Sequence, residues 1–256
     1  FLDVLAEAQQ LGYAEADPTS DVEGFDAAYK LSILASMAYA QKIDVNKIYC
    51  EGISKISPVD IDYALELGYK IKLIAMAKEV DNGMIDVRVH PSLVSITHPL
   101  ASINGVTNAL TVNGDAVGEV NFSGPGAGQL PTASAVVGDI IAIVNDINNV
   151  DNILPSMKSH YDNNASILPM DDTTSSFYVR IHAKDIPGVI GSMGTACGNH
   201  GVSLSGVIQK DIVEGDVARI ILLTHEVKES AMRAAIKDIS EHLSTDIVAN
   251  IIRVFK

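Results

Sequence analysis

Apolar positions in the first third of the chain recur at helical spacing. In "FLDVLAEAQQLGY" Leu2, Leu5, Ala8 and Leu11 share one face. "GFDAAYKLSILASMAYAQ" sets Phe25, Ala28, Leu31, Leu34, Ala35 and Ala38 along one side, and its many small residues suit a helix buried on several sides. "SPVDIDYALELGYK" predicts a further helix, with Pro58 near its start and Gly68 as its stop. The pattern then turns strand-like. "KIKLIAMAKEV" and "MIDVRVHPSLV" flank Asp81-Asn82-Gly83, a hairpin turn. "TNALTVNGDAVGEVNFSG" predicts a second strand pair with its tight turn at Asn113-Gly114, and "LPTASAVVGDIIAIVNDI" a long helix.

Periodicity is lost from residue 149 to 174, where Asn, Asp, Ser and Pro gather in a linker expected to lie over the surface. Beyond it the order is strand ("SFYVRIHAK"), helix ("IGSMGTACGNHG"), strand ("VSLSGVIQKD"), strand ("GDVARIILLTHE"), helix ("KESAMRAAIKDISEHL") and strand ("IVANIIRVF"). That βαββαβ order is the ferredoxin-like pattern. The expected class is α+β: an α/β layer with a mixed or antiparallel sheet over residues 1–150, a linker over 151–174, and a ferredoxin-like unit over 175–256.

Composition narrows the function. The chain has 256 residues, enough for two ordinary cores, with 47% hydrophobic and 20% charged residues. A net charge of −14 argues against nucleic acid or an anionic membrane surface as partner. No apolar run reaches the roughly 20 residues of a membrane span. Two cysteines, Cys50 and Cys197, suit a reducing, cytoplasmic setting. The seven histidines are scattered, so no metal site is expected. The chain opens inside a helix and without methionine, which reads as a piece of a longer protein.

One stretch concentrates charge. "EADPTSDVEGFDAAYK" carries Glu15, Asp17, Asp21, Glu23 and Asp26, then the single cation Lys30. Acids suit a helix start, Ser20 with Glu23 has the spacing of a capping box, and Asp26–Lys30 is an i,i+4 pair worth about 0.2–0.5 kcal/mol on an exposed face. The loop does not have EF-hand spacing. "GEVNFSGPGAGQLPTAS" runs strand, glycine loop, helix; its glycines either serve a tight connection or let backbone approach an anion at the helix start. "DIPGV", from Asp185 to Val189, is either a turn or a helix start that presents amides to a carboxylate. Asn199 is equally a helix cap or a ligand contact, and Gln209 ends the following strand.

In this order, "GYAEADPTSDVEGFDAAYK", "HPLASINGVTNALTVNGDAVGEVNFSGPGAGQLPTASAVVGDI" and "RIHAKDIPGVIG" resemble the homoserine dehydrogenase family, the last being similar to an ACT domain. The resemblance covers essentially the whole chain. It departs at one point: the family begins with a Rossmann domain bearing G-x-G-x-x-G, and nothing here matches, since Gly124-Pro-Gly126-Ala-Gly128 has the wrong spacing. The resemblance implies NAD(P)-dependent interconversion of L-aspartate 4-semialdehyde and L-homoserine, in threonine, methionine and isoleucine biosynthesis. Lys30 would carry the proton to or from the reacting oxygen, with Asp26 orienting it. Tyr13, Glu15 and Asp21 would hold the amino-acid end, leaving Asp17 and Glu23 to turn and cap. Gly124, Gly126 and Gly128 would touch NADP or NAD, bound mostly by the absent N-terminal domain, so this piece alone is expected to be inactive and to bind the dinucleotide weakly. Asp185, Gly188, Val189, Asn199 and Gln209 would bind threonine as feedback effector, in a homodimer or homotetramer. The rival reading is a non-catalytic amino-acid-binding or oligomerisation protein that keeps the scaffold without a cofactor domain.

Overall fold

The computed structural model describes residues 2–10, 16–147, 163–213, 217–242 and 245–255. Among them are seven helices and ten strands, in the order α1 (Leu2–Gln10), α2 (Thr19–Val22), α3 (Phe25–Tyr39), β1 (Tyr49–Cys50), α4 (Pro58–Glu66), β2 (Tyr69–Glu79), β3 (Ile85–Ser95), β4 (Thr107–Gly114), β5 (Gly118–Pro125), α5 (Gln129–Ile147), β6 (Thr174–Lys184), α6 (Val189–Asn199), β7 (Leu204–Val213), β8 (Val217–Thr224), β9 (Val227–Lys228), α7 (Glu229–His242) and β10 (Thr245–Phe255).

The two halves share a sheet. β3 pairs antiparallel with β2 along one edge, through a hairpin whose Asn82 and Gly83 both take positive φ. Along its other edge β3 pairs in parallel first with β1, at Arg88 and Val89, and then with β10, at Ser92 to Val94. From β10 the sheet continues antiparallel through β6, β8 and β7. β10-β6-β8-β7 is the strand order of the expected βαββαβ unit, so its terminal strand extends the sheet of the first half. The mixed sheet is therefore one surface, with a separate two-stranded sheet formed by β4 and β5.

Burial follows that layout. α6 and α7 pack Met193, Ala196, Cys197, Met232, Ala235 and Ile239 on one face of the β6-β8-β10 region. α4 covers the opposite face, where Tyr63 and Ala64 meet Tyr178, Ile221 and Ile252. α3 lies on β2 and β3 through Ala28, Leu31 and Ala35, against Val87 and Val89. Phe25, Leu34 and Ala38, expected on that buried side, are exposed, as are Tyr29, Ile33 and Met37. The helix is apolar nearly all round, so hydrophobic period alone could not select the face that packs.

Three further expectations change. The expected capping box at Ser20 and Glu23 does not form. Ser20 sits inside α2, Glu23 closes it, and Gly24 with φ 81 turns the chain into α3. A capping box forms instead at Ser57 and Asp60, at the start of α4. The β4–β5 turn falls at Asp115–Val117 rather than at Asn113-Gly114, and Gly118 supplies the positive φ at its end. The described end of the expected surface linker enters the core. There Ala165 and Thr173 are buried, Ala165 N–H donates to Lys42 O, and Ile85 N–H donates to Ser166 O.

Buried charge stitches the halves together. Asp60 of α4 accepts from Arg180 Nε and Nη2 of β6 at 2.7 and 3.0 Å, and from Asn250 Nδ2 of β10 at 2.9 Å. Burial pushes the Asp60 carboxyl up, but these donors outweigh it and hold the group below its ordinary range. His90 of β3 is 2% exposed, and burial followed by the Arg253 charge hold its imidazole down to about 3.

Candidate active site

The acidic stretch folds as a short helix, a glycine turn and a long helix. Pro18 opens α2; Asp17 Oδ1 accepts from the Thr19 hydroxyl at 2.6 Å and from its amide at 3.1 Å. Those hydrogen bonds hold the Asp17 carboxyl below its ordinary range, consistent with a turn role. Asp21 is exposed on α2, just before the turn. On α3, Lys30 Nζ donates to Asp26 Oδ2 at 2.6 Å. Both side chains are open to water, Lys30 57% and Asp26 43% exposed. Tyr13 and Glu15 lie outside the described residues.

What fixes this stretch is close contact to its backbone. Gly24 N–H donates to Asp21 O, and a β-carbon at Gly24 would meet Val89 and Cys50 at 3.2 and 3.3 Å. From the other side, Cys50 Sγ donates to Glu23 O at 3.2 Å, and Ile53 N–H donates to Val22 O at 2.8 Å. Gly52 presses hardest: a β-carbon there would fall 2.4 Å from Val22 O and 2.5 Å from Glu23 Cα. Sequence reasoning does not single out Cys50–Ile53 as part of the site. Its one local signal is Gly52, two residues past the short apolar run Ile48–Cys50, where a glycine permits close approach.

The glycine loop leads from β5 into α5. A side chain at Gly124 would stand in open space, and Gly128 has φ 120, directly before α5 begins at Gln129. Such a surface of bare backbone at a helix start fits the edge of a nicotinamide or a phosphate. Gly126 is packed differently: a β-carbon there would fall 2.0 Å from the Asn108 side-chain amide of β4. α5 itself shows Leu130, Val136, Val137, Ile140, Ile141 and Val144 to water.

In the ferredoxin-like unit, Gly188 with φ 93 opens α6 and Val189 is its first residue. Gln209 Nε2 donates to Asp185 Oδ1 at 2.9 Å, which brings the end of β6, the start of α6 and β7 together. Asn199 is not brought to them. It ends α6, about 15 Å along the helix from Val189 at 1.5 Å per residue.

A cleft of about 560 Å³ opens elsewhere, between Lys47, Tyr49, Asp86 and residues 165–170. Lys30 is not part of its lining. Among the described residues no group of acidic, histidine or cysteine side chains is arranged to hold a metal ion. No helix among them is long and apolar enough to cross a membrane.

The family profile described as "Homoserine dehydrogenase" matches residues 1–141, and that described as "ACT domain" matches residues 177–243. The chain belongs to the homoserine dehydrogenase family. A Synechocystis homoserine dehydrogenase is 45% identical over 99% of this chain, and a Pseudomonas aeruginosa homoserine dehydrogenase 45% identical over 92%. The chain spans 60% and 55% of the lengths of those two relatives. Among solved structures, a homoserine dehydrogenase from Thiobacillus denitrificans superposes with a TM-score of 0.91 at 40% identity, covering 99% of this chain and 58% of that one. One from S. aureus gives 0.71 at 30% identity, covering 99% and 59%. The one-sheet arrangement of homoserine dehydrogenase and ACT portions described above thus has an experimental counterpart of high similarity.

Proposed function

We propose that this chain supplies the substrate-handling and regulatory parts of a homoserine dehydrogenase that interconverts L-aspartate 4-semialdehyde and L-homoserine. The observation that carries the reading is the Lys30–Asp26 pair, held at 2.6 Å on the first turns of α3 and reached through the acidic turn. Hydride addition to an aldehyde leaves negative charge on oxygen, so a proton donor beside that oxygen lowers the barrier. Lys30 donates that proton in reduction and accepts it in oxidation. Asp26 fixes the ammonium in one rotamer and its negative charge favours the protonated lysine, while water at this exposed pair supplies the proton that restores it. Asp21, with Tyr13 and Glu15, holds the α-ammonium end of the substrate.

NADP or NAD supplies the hydride when bound. Gly124 and Gly128 would present backbone to it, with Gly126 shaping the turn between them, and the greater part of the dinucleotide would rest on other portions of the protein. Threonine binds at Asp185, Gly188, Val189 and Gln209, its carboxylate at the α6 amides and its ammonium or hydroxyl at the Asp185–Gln209 pair, with Asn199 serving a different copy or the helix end. Homodimer or homotetramer assembly is supported by apolar side chains on one face of the β4–β5 hairpin, where Leu110 stands opposite Phe122 and Val112 opposite Val120. The free thiols of Cys50 and Cys197 fit a reducing cytoplasm.

The test is homoserine oxidation by the full-length protein, followed by nicotinamide absorbance with NAD and NADP in turn, with and without threonine. Turnover that threonine suppresses supports the reading. No turnover with either nucleotide overturns it in favour of a non-catalytic amino-acid-binding protein.

A further inference from the structure

Arg253 is the hub of a buried cluster that touches both halves of the chain. Its Nη2 and Nε donate to the two carboxylate oxygens of Glu229, at 2.6 and 2.9 Å, where α7 begins. Its Nη1 donates to Glu51 Oε2 at 2.8 Å, just past β1. Glu51 Oε2 also accepts from the Tyr49 hydroxyl at 2.9 Å, and the guanidinium lies over the Tyr49 ring at 5.3 Å. The contact exists because β1 and β10 lie one after the other along the same edge of β3.

Glu51 is held on its other side as well. Its amide donates to Val89 O at 2.8 Å, and its neighbours Cys50, Gly52 and Ile53 are the residues that press on Val22 and Glu23. The chain from Glu229 to the turn before α3 is therefore continuous: carboxylate, guanidinium, carboxylate, then three backbone and thiol contacts. Glu229 also accepts from Arg233 Nε at 3.1 Å, and a guanidinium only 5% exposed that is shared by two carboxylates has few alternative placements, because a buried cation without its partners is costly. A cleft of about 280 Å³ runs beside it, lined by Tyr49, Glu51, Glu229, Met232, Arg233 and Arg253.

The geometry points to Glu51 as a positioning residue for the turn that delivers Asp21, Asp26 and Lys30, its own place being set from the ACT portion by the Arg253–Glu229 pair. This rests on the reading of Lys30 given above, and it names a route by which displacement of α7 reaches the catalytic helix. Glu51 touches no proposed substrate atom; it acts through the backbone of Cys50–Ile53.

The experiment is amide hydrogen exchange on the full-length protein, wild type against Glu51→Ala, Glu51→Gln and Glu229→Gln. Glu51→Ala is expected to speed exchange about tenfold in peptides covering residues 19–31 and 50–56, with peptides of β6 and β8 unchanged. Glu51→Gln keeps an acceptor oxygen for Arg253 and is expected to restore most of the protection. Glu229→Gln is expected to loosen residues 19–31 although it lies in the other half; should that variant fail to fold, the Glu51 pair still decides. In turnover assays Glu51→Ala is expected to raise the homoserine KM about fivefold or more, with a smaller change in kcat. Wild-type exchange over 19–31 in Glu51→Ala, or faster exchange in every peptide alike, overturns the proposal. If no variant turns over but the localised exchange is seen, the strut stands and the catalytic reading falls.

Discussion

Asp60 and Arg180, 120 residues apart in sequence, face each other as a bidentate pair in which Nε and Nη2 reach the two carboxylate oxygens at 2.7 and 3.0 Å. Neither is exposed: Asp60 is fully buried and the Arg180 side chain is 7% exposed. Asp60 is also the N3 residue of the α4 capping box, so one carboxylate closes the start of a helix and joins that helix to the ACT portion's sheet. Removing one partner of such a pair leaves the other charge buried alone, at a cost of about 3–5 kcal/mol. Asp60→Ala is expected to lower unfolding free energy by that amount in urea titration. A loss below about 1 kcal/mol would show that the pair does not join the halves.

Acid should weaken the protein in two stages. His90 binds its proton at about 3 in the folded chain against 6.5 when free, so the unfolded chain takes up the proton first. Stability contributed by the neutral, buried ring is present above 6.5 and is lost as pH falls from there towards 3, at a slope of up to about 1.4 kcal/mol per pH unit. Asp60 and Glu229 follow. Both are held below their ordinary values of 3.8 and 4.5, burial being outweighed by hydrogen bonds from Arg180 and from Arg253 respectively. Their share is intact above that carboxylate range and disappears as pH falls through the lower folded values. Denaturation at a series of pH values should show the first stage in wild type and a flatter curve between about pH 6 and about pH 4 in His90→Gln.

Gly52 is held against the acidic turn so closely that any side chain must displace it. Gly52→Ala is expected to cost about 1–3 kcal/mol, the usual range for forced overpacking, and to lower kcat/KM of the full-length enzyme by moving Asp26 and Lys30. Gly126→Ala makes the contrast, because the side chain of Asn108 can swing away from the new methyl group where the backbone of Val22 cannot. A Gly52→Ala enzyme with unaltered stability and kinetics would contradict the close contact.

Much of this was legible in the sequence because it depends on local period. The β2–β3 hairpin, the helix α3 and the βαββαβ order all follow from alternation, turn residues and helical spacing within single segments. Pairing between distant segments leaves no such mark. Nothing around Thr245–Phe255 says that it lies parallel to β3, and nothing in the local pattern around Arg253 or Glu51 says that they meet. Asp60 did carry a sign, the Ser57-Pro58-x-Asp60 spacing of a capping box, whereas the similar spacing at Ser20 and Glu23 fails because Pro18 starts α2 two residues earlier and leaves Ser20 inside the helix. At the site, the Lys30–Asp26 pair was readable as an i,i+4 spacing, but the clamp of Cys50–Ile53 on the turn required the fold.

The proposed threonine site is open to a separate check. Losing one hydrogen bond to a charged ligand costs about 1.5–3 kcal/mol, so Asp185→Ala and Gln209→Ala are each expected to raise the threonine concentration for half inhibition about tenfold or more. Inhibition curves on the full-length enzyme measure this directly. Unshifted curves in both variants would move the threonine site elsewhere.

The most direct measurement of the central claim is kcat for homoserine oxidation by Lys30→Ala in the full-length protein, set beside its circular dichroism and melting curve. Lys30 is exposed and contributes little packing, so the fold should be unchanged while kcat falls by about three orders of magnitude, within the range general acid–base catalysis supplies. A folded Lys30→Ala protein with turnover near that of the wild type would contradict the account.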